Sequence, residues 1–600
     1  MQRYEITTYL HFGEPTYKLQ LYSFDGSMKP SMYLKYRPAQ MYPTTPMHKT
    51  VRKRRSPRSL AFWTRLPVGP RAIDTLPPMR IGALLVGAAA LGARAHESFH
   101  ETLDLHTLPG GRVHAAFSFA MHADDASLRH FRVLPRALLQ PVASLDVEAL
   151  QLTLTAGRWQ YATWGAPAGS QAVATGAEVW ASFASGHALP RATRWRRLTS
   201  ALAGTFCASL DAIDDTTSVQ VPARYVWSDA PSNASVLHAY LPSESVCTEN
   251  LTPLLKLLPC KGGAGLASLL QMHTVLAAEF HSISVQVRRA GEGYTVVLGV
   301  TTVMRPERRP REHETWTLER LFSRELTAAC PVADRSEVRV EAPRGAADDD
   351  DDDDEAAAAA DAYRVPLARH TYDTTSLAPY GGRFALTLDA PAAGPLLAPP
   401  PLQATRQVLG YGQERNLVRL TLRNTLPTET VHVVYYDQLP WVVAPLMHTL
   451  RTSLALDEAP EEAVRYRDEL DTPFVTDAHY RPATLRARTG AVELVVRVPA
   501  RSTLTVSYVL TKRVLHYDEH VPDPHRGIDL PPALFVPRGV PRRAHAVQPA
   551  RMYAPPSLLD IAVPDFSMPY NIILFYSTFV ALFFGSLLNV MVRRFYDVVV

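Results

Sequence analysis

Val492-Glu-Leu-Val-Val-Arg-Val498, a turn at Pro499, and Ala500-Arg-Ser-Thr-Leu-Thr-Val-Ser-Tyr-Val-Leu510 carry β-branched, aromatic and other apolar side chains with a period near two. A strand turns successive side chains to opposite faces, so this pattern predicts two half-buried strands. Following one another across a turn, they are expected to pair. The same signature recurs in Arg112-Val-His-Ala-Ala-Phe-Ser-Phe119, Ser284-Val-Gln-Val287, Thr295-Val-Val-Leu298 and Thr430-Val-His-Val-Val-Tyr-Tyr436. Half-buried strands need a second apolar layer, and a β-sandwich is the economical way to supply it.

Helical periodicity is concentrated in the first half, at Leu251–Leu258, Leu266–Phe280 and Trp316–Leu326. The expected architecture is β-rich, with an N-terminal α+β domain over 96–345 and a C-terminal all-β, sandwich-like domain over 362–560. Between them, Asp348 to Asp354, Glu355 and five alanines form an acidic, low-complexity insertion over 346–361. Eight adjacent carboxylates repel one another and cannot pack, which predicts a solvated insertion or linker. A calcium loop would need spaced ligands and a turn glycine instead. A second loose stretch, rich in Pro and Ala, runs from Ala390 to Pro401.

Asn571 to Val592 (NIILFYSTFVALFFGSLLNVMV) has no charged side chain and is stopped by Arg593-Arg594. As a helix it would reach about 33 Å, enough to cross a hydrocarbon core of about 30 Å. The arginines favour a cytosolic tail, 593–600, which leaves the bulk of the chain on the lumenal side. Residues 79–95 read as a secretory signal: Met79-Arg80, an apolar run Ile81–Leu91, and Ala93-Arg94-Ala95 as the small-x-small cleavage site. A cleavable signal begins near the start of the nascent chain, so Met79 is the expected initiator, residues 1–78 a gene-model extension, and His96 the mature N-terminus. Without residues 1–95 the chain keeps 47 basic and 54 acidic residues of the original 62 and 58, a formal charge of −7. No basic excess remains for phosphate contacts, so nucleic acid is not an expected partner.

The residues that could carry chemistry yield little. His96-Glu97-Ser98-Phe99-His100 has the spacing of a zinc-protease helix, but it sits at the expected mature N-terminus and lacks an evident third ligand. It reads as a polar N-terminal arm. His114 and His432 stand alone within strands and read as packed or surface side chains. No metal or cofactor is expected. Cys207, Cys247, Cys260 and Cys330 lie in the first half, and in an oxidising compartment they allow three complete pairings. None has a caspase- or papain-like motif around it. Asn233-Ala-Ser235 and Asn250-Leu-Thr252 are glycosylation acceptors if this region enters the lumen.

Several blocks in a fixed order resemble the PIG-T family of GPI transamidase subunits. They include Gly157-Arg-Trp159, Gly176-Ala-Glu-Val-Trp180, Phe206-Cys-Ala-Ser-Leu210, Val246-Cys-Thr-Glu-Asn-Leu-Thr-Pro253 with Leu257-Leu-Pro-Cys260, and Leu321-Phe-Ser-Arg324. Gly410-Tyr-Gly412, Leu439-Pro-Trp441, Pro522-Asp-Pro-His-Arg-Gly527 and Pro564-Asp-Phe-Ser-Met-Pro-Tyr-Asn571 continue the series to the membrane. The resemblance covers about His96 to Phe595; the Asp-rich insertion and residues 1–78 depart from it.

The resemblance implies a non-catalytic lumenal scaffold in the endoplasmic-reticulum complex that cleaves a C-terminal signal from proproteins and attaches a GPI lipid. It places the cysteine nucleophile on a caspase-like partner, PIG-K, alongside other membrane subunits. It also implies that Cys247 forms an interchain disulfide with that partner, which leaves at least one of Cys207, Cys260 and Cys330 free or paired elsewhere. A cell-surface adhesion-type type I membrane glycoprotein would share the signal, sequons, sandwich and anchor, and differs in travelling onward from the endoplasmic reticulum. A lumenal metalloenzyme would need metal at His96 and His100.

An arginine at the middle of the apolar run tests the span. Phe583→Arg is expected to cost about 2.5–3.5 kcal/mol of insertion free energy on translocon scales. Carbonate-resistant membrane association of the chain expressed alone should fall; full retention of the variant would remove the spanning assignment.

Overall fold

The computed structural model describes residues 5–11, 16–22 and 97–594, apart from 109, 125–132, 168–172, 226, 228–233, 292, 306–314, 344–366, 390–399, 411, 458, 467–472, 521–525, 541–549 and 564–566. The expected signal, His96, the acidic run, Asn233 and the tail beyond Arg594 lie outside the described residues. The chain divides into two compact units, Met1–Ala89 and Ala90–Val600. In the first, β1 (Glu5–His11) and β2 (Thr16–Tyr22) form an antiparallel hairpin with Glu5 opposite Tyr22.

The second unit opens with β3 (Glu97–Leu108), β4 (Arg112–Ala123), β5 (Val147–Ala156), β6 (Gly176–Phe183), β7 (Ser218–Pro222), β8 (Ser235–Leu241), β9 (Phe280–Ala290) and β10 (Gly293–Met304). After the short β11 (Thr315–Thr317) come β12 (Arg335–Pro343), β13 (Leu367–Asp373) and β14 (Thr387–Asp389), the last pairing with β11. The other ten build one sheet in the order β13-β12-β3-β4-β10-β9-β5-β6-β8-β7. Its neighbours are antiparallel except β12 beside β3, which run parallel. His100 therefore lies within an inner strand and not in a polar arm. A strand spreads four residues over about 13 Å, so the helical zinc geometry does not form there.

Among the described residues six helices accompany this sheet: α1 (Arg136–Ser144), α2 (Tyr161–Trp164), α3 (Arg191–Phe206), α4 (Thr248–Leu257), α5 (Met272–Leu276) and α6 (Leu318–Phe322). Leu138, Leu139 and Val142 of α1, Leu198, Leu202 and Phe206 of α3, and Leu251 and Leu254 of α4 join Ala177, Val179 and Ala181 of β6 in one core. The stretch Leu266–Phe280, expected as a helix, breaks into a 3₁₀ turn at Leu266–Leu269, the short α5, and the start of β9 at Phe280.

The second half forms two five-stranded sheets. One has the order β15 (Leu402–Leu409), β16 (Arg415–Asn424), β22 (Ser502–Lys512), β18 (Val443–Leu456) and β19 (Ala459–Tyr466). The other has the order β20 (Val475–Arg481), β21 (Gly490–Val498), β17 (Val431–Leu439), β24 (Leu534–Arg538) and β25 (Met552–Tyr553). A small pair, β23 (Ile528–Leu530) and β26 (Ser557–Leu559), lies outside both. The expected hairpin across Pro499 does not form. β21 pairs with β17 and β20, while β22 pairs with β16 and β18, so the chain crosses from one sheet to the other at this corner. Val492, Leu494, Val496 and Val498 then meet Leu504, Val506, Tyr508 and Leu510 in the sandwich core. Asn424 fixes the corner: its side-chain amide donates to the carbonyls of Val498 (3.2 Å), Pro499 (2.9 Å) and Glu429 (2.8 Å).

The two halves do not form the separate domains expected from the sequence. Trp180 and Phe280 from the large sheet, with Trp159 and Trp164 from the segment after β5, pack with Val434, Tyr436, Leu534 and Val536 from the sandwich in a shared core. Polar groups cross the same layer: Tyr553 donates to Glu178 Oε2 (3.1 Å), Arg551 to Gln151 Oε1 (3.1 Å) and Gln438 to the Thr217 carbonyl (2.6 Å). The boundary placed at 346–361 falls inside the ten-stranded sheet, because Leu367 pairs with Pro343 and Asp373 with Glu337 across it.

Two buried carboxylates hold layers together. Asp437 of β17 accepts from Arg406 of β15 across the sandwich at 2.7 Å, and from the Tyr435 hydroxyl at 2.6 Å. Arg406 also donates to the Pro531 carbonyl at 2.7 Å. In the large sheet, Glu101 Oε1 accepts from the Leu266 amide (3.1 Å) and the Ser336 hydroxyl (2.8 Å), beside a disulfide between Cys260 and Cys330. Gly265 makes room for this arrangement. It has φ +69°, and a Cβ there would stand 2.5 Å from Glu101 and 2.8 Å from Cys330. Burial is the largest influence on Glu101 and raises its pKa above the usual 4.5, outweighing the two hydrogen bonds.

Asp437→Ala leaves a buried guanidinium without its counter-charge and is expected to cost about 3–5 kcal/mol in urea unfolding of the detergent-solubilised chain. Arg406→Met combined with Asp437→Leu should recover most of that loss; a single-variant cost near zero would remove the pair from the account of the sandwich.

Glu101 predicts a pH effect on the acid side. Its folded pKa is raised, so its contribution is full below about pH 4.5 and declines as pH rises through the folded value. Glu101→Gln keeps the acceptor oxygen and abolishes the ionisation. The melting temperature of the variant relative to wild type should therefore climb with pH above about 4.5, and a constant difference would refute the assignment.

Candidate disulfide site and membrane anchor

The Cys260–Cys330 disulfide resolves the open pairing, with a Cα separation of 6.0 Å across 70 residues. On the chain-entropy account a loop of that length contributes about 4 kcal/mol. It joins the segment after α4 to the approach to β12 and reserves both thiols for the fold. Cys207 and Cys247 remain as free, exposed thiols.

These two cysteines occupy helix ends that face each other. Cys207 closes α3 in a left-handed conformation, φ 53°, and Cys247 precedes α4 as its N-cap. Asn250, the third residue of α4, ties the ends together. Its Oδ1 accepts from the Cys247 amide at 2.7 Å, while its Nδ2 donates to the carbonyls of Phe206 at 2.7 Å and Cys207 at 3.4 Å. The first helical amides lack intrahelical partners, and the returned Asn250 side chain satisfies the one at Cys247. Nearby, Glu244 accepts from the Ser209 amide at 3.2 Å. The Cys247 backbone is thus held while its sulfur faces solvent.

The same geometry bears on the sequon at Asn250. The nitrogen a glycan would take is committed to two carbonyls, and the residue is 1% exposed. In place of an acceptor, the folded chain presents a buried tether. The spacing Cys247-Thr-Glu-Asn250 carries the cap-and-return signature that could have revealed this role.

The C-terminal helix spans Ser567–Val592, beginning four residues before the expected Asn571. Tyr570–Val592 is long and apolar enough to cross a membrane, and Phe583 near its middle is exposed in the isolated chain. Thr578 returns its hydroxyl to the Leu574 carbonyl at 2.8 Å, so this polar group is satisfied within the helix. Arg593 and Arg594 follow the last helical residue, Val592.

No group of three or more His, Cys, Asp or Glu poised to hold a metal occurs among the described residues. His114 stacks on His106 at 5.4 Å and meets Trp159 edge-on at 5.3 Å. Burial, helped by His106, pushes its pKa down to about 3, which keeps the ring neutral. His432 is exposed on β17. The arrangement offers a rigidly mounted thiol and an apolar helix.

A family model described as Gpi16 subunit, GPI transamidase component, matches residues 83–309 and 304–599. A separate model, described as a fungal chaperone for protein folding within the ER, matches residues 1–71. The GPI-anchor transamidase component PIGT of Mus musculus is 30% identical over 566 residues, covering 87% of this chain and 94% of that protein. The GPI transamidase component GPI16 of Saccharomyces cerevisiae is 26% identical over 587 residues, covering 87% and 94% respectively. Likeness to the collagen-binding subdomain of an Enterococcus faecalis surface protein stops at 8% identity and a TM-score of 0.18, over 26% of this chain and 94% of that one, and carries no weight for adhesion. With the Gpi16 match running through both the disulfide site and the membrane helix, the chain belongs to the Gpi16 family of GPI transamidase components.

Proposed function

We propose that this chain is the non-catalytic lumenal scaffold of GPI transamidase, anchored in the endoplasmic-reticulum membrane by its C-terminal helix with the tail in the cytosol. Cys247 joins it to a caspase-like subunit, PIG-K, which carries the nucleophile, and other membrane subunits complete the complex. The single observation that supports this most directly is the mounting of Cys247. Its backbone is tethered through Asn250 and its thiol is exposed, while Cys260 and Cys330 are already joined.

The chemistry explains why a scaffold is useful. The complex passes a proprotein's acyl group from a thioester to the amine of a GPI lipid, and water competes for the same carbonyl. Holding the reactants close can be worth about 7–11 kcal/mol of the barrier. A body with three sheets locked by shared cores is a stiff support for that purpose, and the membrane helix brings it to the height of the lipid. No cofactor is required of this chain.

The coding boundary fits the same reading. The two family matches end at residue 71 and begin at residue 83, and Met79 falls between them. That spacing supports Met79 as the initiator, residues 79–95 as the signal peptide and residues 1–78 as a gene-model extension.

Cys247→Ser is expected to collapse a high-mass band on non-reducing electrophoresis into two chains, with transamidase activity reduced and still measurable. The nucleophile would sit on the partner, so losing a covalent tie lowers effective concentration without removing the chemistry. Cys207→Ser is the control: an internal Cys207–Cys247 bridge would make both variants behave alike. An unchanged band in Cys247→Ser, or complete loss of turnover in a complex that still assembles, would remove the assignment.

Glycosylation follows the lumenal reading. Asn233→Gln should remove one endoglycosidase-sensitive mobility step from the mature chain, whereas Asn250 is expected to carry no glycan. Peptide mapping that found a glycan on Asn250 would contradict the buried tether.

A further inference from the structure

We infer that one end of the sandwich forms an apolar collar seated in the headgroup layer of the bilayer, an inference that rests on Tyr570–Val592 being the membrane span. The strands define two ends. β18 runs from Val443, opposite Lys512, to Leu456, opposite Ser502. β21 runs from Gly490, opposite Leu439, to Val498, opposite Val431. The segments after Leu439 and Lys512 and before Gly490 therefore gather at one end, and the turns at Pro499 and Asp457 lie at the other.

Outside the membrane helix, five large apolar side chains are exposed among the described residues: Leu456, Leu485, Val514, Tyr517 and Leu558. Leu456 marks the far end. The other four lie on segments that adjoin a small cluster at the first end, where Val442, Leu515 and Ile561 pack with Trp441 and Ile528. The connections are specific. The Arg513 amide donates to the Val442 carbonyl at 2.8 Å, which sets Val514 beside the cluster. Arg486 lies 5.4 Å over the Trp441 ring and pairs with Glu519, which brings the segments carrying Leu485 and Tyr517 to the same end. Leu558 stands opposite Asp529 in the β23–β26 pair, one position from the Leu559–Ile528 pairing and on the other face. Val514 is 78% exposed.

Single exposed apolar residues are ordinary, but four grouped at one place mark a binding surface. Chain continuity names the occupant. Ile561 precedes the first residue of the membrane helix, Ser567, by six positions, a reach of at most about 20 Å. The collar end is thus where the chain leaves for the bilayer. Trp441, Tyr517 and Tyr570 add aromatic rings with polar tips, the side chains suited to a membrane interface.

The test uses the complete complex in phosphatidylcholine nanodiscs, with p-benzoylphenylalanine replacing Val514, Leu558, Leu456 or Tyr570 in turn, and mass spectrometry of the photo-adducts. Lipid adducts at positions 514 and 558 should approach the yield at 570 and exceed that at 456 by about tenfold, the contrast between a side chain in the interface and one in water. Adducts to a protein subunit at 514 and 558, or lipid yields no higher than at 456, would overturn the collar while leaving the scaffold reading intact. Absence of lipid adducts at 570 as well would overturn the span and the collar together.

Discussion

Water is excluded from both faces of β17 from Val433 to Leu439, and that constraint shapes the rest of the second unit. Val433 and Tyr435 point into the sandwich, Val434 and Tyr436 into the layer shared with the large sheet. A strand in this position must be apolar at nearly every residue, and any polar group on it must find a partner within the protein. Asp437 meets the second condition with Arg406 and Tyr435, and the Gln438 side-chain nitrogen with the Thr217 carbonyl, whereas Gln438 Oε1 and the Tyr436 hydroxyl find no partner among the described residues. The Gln438 bond to Thr217 therefore does two things at once, joining the halves and satisfying a polar group on this strand.

The kind of structure was legible in the sequence to a greater degree than its arrangement. Period-two alternation reports that a side is buried, and the runs at 112–119, 430–436, 492–498 and 500–510 are all strands. It does not report which strand lies alongside. Val492–Val498 and Leu504–Leu510 satisfy the same pattern whether they pair within one sheet or face each other across two, and the second occurs. The break at 346–361 misled for a related reason: a charge run marks a loop, and a loop can join neighbours in one sheet as easily as it can separate domains. The helix Arg191–Phe206 was missed although Trp195, Leu198, Leu202 and Phe206 form an apolar stripe, because its first two turns are crowded with arginines.

The candidate site was legible in part. Order and spacing of family blocks singled out Cys247, and the apolar run singled out the helix beginning near Asn571. The disulfide partners were not recoverable from four cysteines alone, since pairing depends on which loops the sheet brings together. Asn250 shows the limit of a short motif. A three-residue acceptor pattern cannot tell an exposed amide from one spent on capping a helix and holding the end of another.

The placement of the acidic run also matters for how the large sheet meets other molecules. β13 is the last strand of that sheet among the described residues, which makes its outer backbone groups a template for pairing with a foreign strand. The connection leading into β13 carries Asp348 to Asp354 and Glu355. Eight like charges adjoining an edge strand in sequence repel the same eight on a second copy of the chain. A run of like charges in the sequence leading into an edge strand is the kind of feature that discourages pairing of one sheet edge with that of a second copy.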